Sequence, residues 1–138
     1  MSPKDGRIRN VSLSEAESYL NKAKEFYLAM LDNYQSKRWN ATGFAGIHCA
    51  ISSSDAVLGK IANIRSASSD HYDTVLLLRK YLKGAGRGRA EEQVTRLSRV
   101  LGQKNLVEYE SRDFRQDECE KLVKDVGRFF EYAKEFFL

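Results

Sequence analysis

The sequence predicts an all-α fold, an up-and-down bundle of about five helices. Three observations carry this. Proline occurs once in 138 residues, at Pro3, so nothing beyond that position has to be broken by it. Leu, Ala, Glu, Lys and Arg dominate, while the apolar–polar alternation of half-buried strands is scarce. Apolar residues return at helical spacing through most of the chain.

Residues 1–11 are polar and basic and read as a flexible tail, followed by a single domain over 12–138. The first helix is predicted over 14–37. Ser12-Leu-Ser-Glu15 and Ser14-Glu-Ala-Glu17 both fit a capping box. Ala16, Leu20, Ala23, Tyr27, Met30 and Tyr34 supply its apolar stripe. The second helix is predicted over 39–64. Phe44, Ile47, Ile51, Leu58 and Ala62 line one side, and the small or slim Gly46, Ala50, Ser53 and Val57 line the other. A helix apolar or small nearly all round is buried, so this one is expected at the centre. Its small side is expected to pack closely on another helix or on a second copy of the chain.

The third helix is predicted over 70–83, with Val75-Leu-Leu-Leu78 as its core contribution. Gly84, Gly86 and Gly88 then mark a turn. That turn follows a helix and lacks the G-x-x-x-x-G-K-[ST] pattern, so it is a poor P-loop. The fourth helix is predicted over 89–109, through Val94, Leu97, Leu101 and Val107, with Gly102 as its soft point. Residues 110–115 turn the chain. The last helix runs from 116, with Cys119, Leu122, Val126, Phe129, Phe130, Ala133 and Phe137 as its stripe and Asp117 and Glu118 at its positive end.

The formal charge of +4 permits an anionic partner without demanding one. Cys49 and Cys119 lie far apart with no C-x-x-C, which suits reduced thiols in the cytoplasm. No apolar run approaches the roughly 20 residues of a membrane span. His48 and Cys49 are adjacent and point different ways, and no Glu-x-x-His occurs, so neither zinc nor a di-iron centre is expected, and no cofactor is.

The stretch G-F-A-G-I-H-C-A-I-S-S-S-D-A-V-L (43–58), then R-S-A-S-S-D-H (65–71), resembles the HEPN domains of bacteria and archaea. The closest likeness is to a branch with an H-x-A-I-x-x-x-D-A helix and a later D-H. K-N-L-V-E-Y (104–109) and the following E-C-x-x-x-V extend the resemblance over about residues 12–138. The resemblance implies a helical bundle, usually a homodimer. It also implies a role in toxin–antitoxin or defence gene pairs, with a nucleotidyltransferase or antitoxin protein as partner. Many such domains are metal-independent ribonucleases, whose Arg and His have four to six residues between them and pair across the dimer. Others only bind nucleotides, RNA or proteins.

Arg65-x5-His71 has the spacing of that nuclease signature. A histidine titrating near neutrality can move a ribose 2′-hydroxyl proton, and an arginine can hold the scissile phosphate. Against this, Ser66-Ala-Ser-Ser-Asp70 reads as a loop and helix cap, with His71 merely in the first turn. His48 and Asp55 are seven residues apart and share a helix face. They form either a structural pair or, with His71 and Arg79, the wall of a ligand cleft. Lys83, Arg87 and Arg89 flank the glycine-rich turn and are placed either to meet nucleic-acid phosphates or to solvate a helix face. The leading expectation is a non-catalytic module that binds a nucleotide, RNA or a partner protein. The alternatives are a ribonuclease using Arg65 and His71, and a structural adaptor.

Overall fold

The computed structural model describes residues 7–84 and 89–138. In chain order they form β1 (Ile8–Asn10), α1 (Leu13–Gln35), α2 (Trp39–Ala62), β2 (Ile64–Ser66), α3 (Tyr72–Gly84), α4 (Ala90–Leu101), α5 (Lys104–Tyr109) and α6 (Gln116–Glu135). The result is an all-α bundle with one two-stranded sheet. No helix among the described residues is long and apolar enough to cross a membrane.

The first capping box is the one used. Ser12 Oγ accepts from the Glu15 amide at 3.1 Å, and Glu15 Oε1 accepts from the Ser12 amide at 3.0 Å, which starts α1 at Leu13. α2 is the central helix and packs on every other helix. Its small side meets the protein's own helices. A Cβ added at Gly46 would strike Leu122 of α6 and approach the Met30 sulfur of α1, and one at Gly43 would lie 3.0 Å from Phe114 and Val107. The close approach expected of this side is therefore made within one chain. Ile47 and Leu58 are fully buried, as the stripe predicts, but Phe44 is 47% exposed. α6 buries Cys119, Leu122, Val126, Phe129, Phe130 and Ala133 against α2 and α4.

Two sequence expectations change. Within the tail, residues 8–10 form a strand that pairs antiparallel with β2, with Ile8 opposite Ser66, Arg9 opposite Arg65 and Asn10 opposite Ile64. Val11 behind it is buried, and its amide donates to the Asn63 carbonyl at 2.8 Å. Asn63 makes this possible by ending α2 in the left-handed region (φ 57°), a conformation asparagine tolerates better than most residues. Residues 1–6 lie outside the described residues. The fourth predicted helix is two helices, because α4 closes at Gly102, whose amide bonds back to Ser98 and Val100. Glycine is a weak helix former, and after Gly102 and Gln103 the short α5 begins at Lys104.

Candidate functional site

β2 and the loop after it carry the R-S-A-S-S-D-H stretch. The loop is built from hydroxyl and carboxylate groups that accept from amides two residues on. Ser66 Oγ accepts from Ser68, Ser68 Oγ from Asp70, and Asp70 Oδ1 from Tyr72, at 3.0–3.1 Å. Such local turns compete with continued strand or helix and deliver the chain into α3. Asp70 thus caps the first amide of α3, while Ser66 is the last residue of β2 rather than part of the loop. This cap does not dispose of the Arg65–His71 pair, because the turn folds the two ends of the stretch onto one cavity.

That cavity, of about 190 Å³, is lined by Arg9, Arg65, Ser66, Ser68, Asp55, His71 and neighbouring residues. Asp55 reaches it from α2 and is 9% exposed. Burial pushes its carboxyl up to about 7, against the pull of the Arg65 guanidinium. Arg65 bonds the Ser66 carbonyl at 3.2 Å and lies over the Tyr19 ring at 5.8 Å. Neither Arg9 nor Arg65 makes an ion pair among the described residues. They stand directly opposite one another across the two strands. Like charges so placed repel, and an anion between or beside them relieves the repulsion.

His71 also borders a second, open cavity of about 460 Å³ with Lys104, Asn105, Tyr109 and Gly102. Burial lowers its pKa, as do the nearby Lys104 and His48 side chains, while Glu108 and Asp70 pull the other way. The imidazole is therefore held neutral at pH 7. His48 Nε2 faces Glu108 Oε2 at 3.6 Å, and Lys104 Nζ pairs with the same oxygen at 2.8 Å. Burial works against the Lys104 ammonium, but Glu108 outweighs it and its pKa stands above the ordinary value. The His48 ring sits between Phe44 and Phe26, with centroids 4.4 and 5.8 Å away.

The predicted site residues divide accordingly. Arg65, Asp55 and His71 share one cavity. His48 does not line that cavity and instead faces Glu108 and the rings of Phe26 and Phe44. Arg79 is elsewhere: its Nε bonds Glu91 of α4 at 3.2 Å and ties α3 to α4. Lys83 is exposed at the end of α3. Arg89 sits in the left-handed region (φ 63°), 3.8 Å from Glu135 of α6. Arg87 lies outside the described residues. Arg9, Lys104 and Glu108 were not singled out by sequence. The Lys104/Glu108 spacing of four was the available signal for that pair, and for Arg9 only the likeness of Ile8-Arg-Asn to Ile64-Arg-Ser offered one.

No group of three or more metal-ligating side chains converges among the described residues. Both thiols are buried, and burial pushes each up to about 12, so neither supplies a thiolate. No protein-family model matches this chain, and no curated protein is significantly similar to it. The HEPN likeness rests on the residues that carry it.

Proposed function

We propose that this chain is a non-catalytic, HEPN-like module that binds the phosphate of a nucleotide or of RNA in the Arg9–Arg65 cavity. The observation that carries the reading is the cross-strand arginine pair, unneutralised beside a cavity that also holds two hydroxyls and a carboxyl titrating near 7. Guanidinium forks suit phosphate oxygens, and hydrogen bonds to ionised partners are roughly twice as strong as neutral ones. A protonated Asp55 donates to an anionic oxygen where an ionised one repels it. At about 190 Å³ the cavity is smaller than the roughly 300–1,000 Å³ of sites that enclose a whole small molecule. It suits a phosphate, with the rest of the ligand passing over His71 into the larger depression beside Lys104 and Tyr109. The same reading carries a cytoplasmic homodimer within a toxin–antitoxin or defence pair.

Titration of the protein with nucleoside mono-, di- and triphosphates, followed by calorimetry, tests this. Binding that weakens at least about tenfold in Arg65→Ala and in Arg9→Ala is expected, since a charge-assisted pair is worth about 1.5–3 kcal/mol. Absence of nucleotide binding, or affinity indifferent to both arginines, would overturn it.

A second reading is favoured by one observation: His71, held neutral, shares the cavity with Arg65. That pairing suits a metal-independent ribonuclease, with His71 as base and Arg65 on the phosphate. Incubation with total tRNA in EDTA decides between the two. Cleavage lost in the Arg65→Ala/His71→Ala protein selects the nuclease, and intact tRNA selects the binding module.

A further inference from the structure

A cavity of about 690 Å³ runs between α4 and α6, and another of about 530 Å³ continues it. The two share Arg96, Lys124 and Arg128, so they are one groove along the helix pair. Its six acidic groups, Glu92, Asp117, Glu118, Asp125, Glu131 and Glu135, each lie 3.8 Å or less from an Arg or Lys side chain. Asp125 takes both forks of Arg99 at 2.9 and 3.1 Å and lies 3.8 Å from Arg96, and Glu118 is bound by Arg112 at 2.9 and 3.0 Å. Lys121, Lys124 and Arg128 make no ion pair among the described residues. Their spacing of three and four puts them on one exposed face of α6, over about 10 Å of helix. That length meets successive phosphates rather than a single one.

Two further features suit a chain carrying bases. Gln93 is 2% exposed on the groove wall, and its amide oxygen has no hydrogen-bond partner. A buried acceptor left unmade is costly, and a donor on a base edge, met by a turn of the terminal amide, supplies what is missing. Gly127 lies in the middle of α6 on the groove floor, where glycine disfavours helix. A Cβ there would come no closer than 3.8 Å to Tyr27, so internal packing does not demand the glycine. What it keeps is space in the groove, beside a Tyr27 ring braced on Phe130 at 4.9 Å.

We propose that the α4–α6 groove is a binding track for single-stranded nucleic acid, with phosphates along Lys121, Lys124 and Arg128. It is a surface separate from the Arg9–Arg65 cavity and does not depend on that reading. Fluorescence anisotropy with a labelled RNA strand of about 12 nucleotides, and with the DNA of the same sequence, tests it at low salt. Lys124→Glu/Arg128→Glu is expected to weaken binding at least about tenfold. It should also make the salt dependence shallower by about 1.4, the share of two phosphate contacts on a single strand. The uncharged Gly127→Leu is expected to weaken binding with a thermal midpoint no lower than the parent's.

RNA binding ahead of DNA, or equal binding of both, each upholds the track and says which strand it takes. No binding of either, or affinity unchanged in the charge-reversed protein, overturns it. Loss in that protein with full binding in Gly127→Leu overturns the groove as the path. Poly-glutamate of similar length binding as tightly as RNA would reassign the surface to an acidic protein. Mononucleotide titration reads the Arg9–Arg65 cavity independently, so failure of either reading leaves the other standing.

Discussion

Asp55 is where a single residue has the clearest consequence. Its carboxyl titrates near 3.8 when exposed and near 7 in the fold, because burial disfavours the charged form. The folded protein then holds a proton over a pH range in which the unfolded chain has lost it. Stability from this group is complete below about pH 4 and falls as pH rises toward 7, by on the order of a few kcal/mol. Asp55→Asn is therefore expected to unfold at higher urea than the parent at pH 8.5 and at nearly the same urea at pH 5. A lower midpoint at pH 8.5 would mean that the Arg65–Asp55 attraction outweighs the burial cost. Anion affinity should fall in the parent above pH 7, as Asp55 ionises beside the arginines, and stay flat in the variant. Arg65, Asp55 and His71 were legible in the sequence because each belongs to a short local pattern. Arg9 was not, because its place is set by pairing with a strand more than fifty residues away.

At the scale of elements, helices were legible and their junctions less so. The stripes of α1 and α6 and the burial of α2 follow from periodicity, which many residues support together. β1 and β2 are three residues each, too short for alternation to register against helical surroundings. The α4–α5 break rests on one glycine, and a lone glycine does not say whether a helix softens or stops. Glycines also divide by what surrounds them. A Cβ at Gly59 would come within 2.7 Å of Val11 Cγ1, 2.8 Å of Ala16 Cβ and 3.4 Å of Ala16 Cα. A shift of side chains alone does not clear that contact, because Ala16 is held by the start of α1. Gly59→Ala is expected to destabilise by about 1–2 kcal/mol, since overpacking of about 1–3 kcal/mol exceeds the roughly 1 kcal/mol that alanine gains in a helix. Gly127→Ala, whose Cβ would meet Tyr27 only at an ordinary 3.8 Å, should gain about that 1 kcal/mol instead. Chemical denaturation of the two variants gives opposite signs if packing, and not helix propensity alone, governs Gly59.

At the scale of the whole molecule, the small sheet joins the segment before α1 to the connection between α2 and α3. β1 pairs with β2, Val11 is tied to the end of α2, and the Arg7 carbonyl accepts from the Ala67 amide at 2.6 Å, at the start of the turn that positions His71. The segment expected to be a tail is thus a wall of the candidate site, and it supplies one of the two arginines. A protein beginning at Val11 keeps every helix and all core residues of the α1–α6 bundle, so it is expected to fold with unchanged helical circular dichroism. It should lose protection from hydrogen exchange at residues 64–67, whose partners are gone. It should also bind nucleotide more weakly than Arg9→Ala alone, because both the charge and the support of the Arg65 strand are removed. Equal affinity in the shortened protein and in Arg9→Ala would mean that the loop between β2 and α3 holds Arg65 and His71 without help, and that β1 contributes only its cation. Unchanged protection at 64–67 would show that the turn of hydroxyl and carboxylate caps is sufficient by itself. The site would then belong to the R-S-A-S-S-D-H stretch and α2, rather than to the sheet.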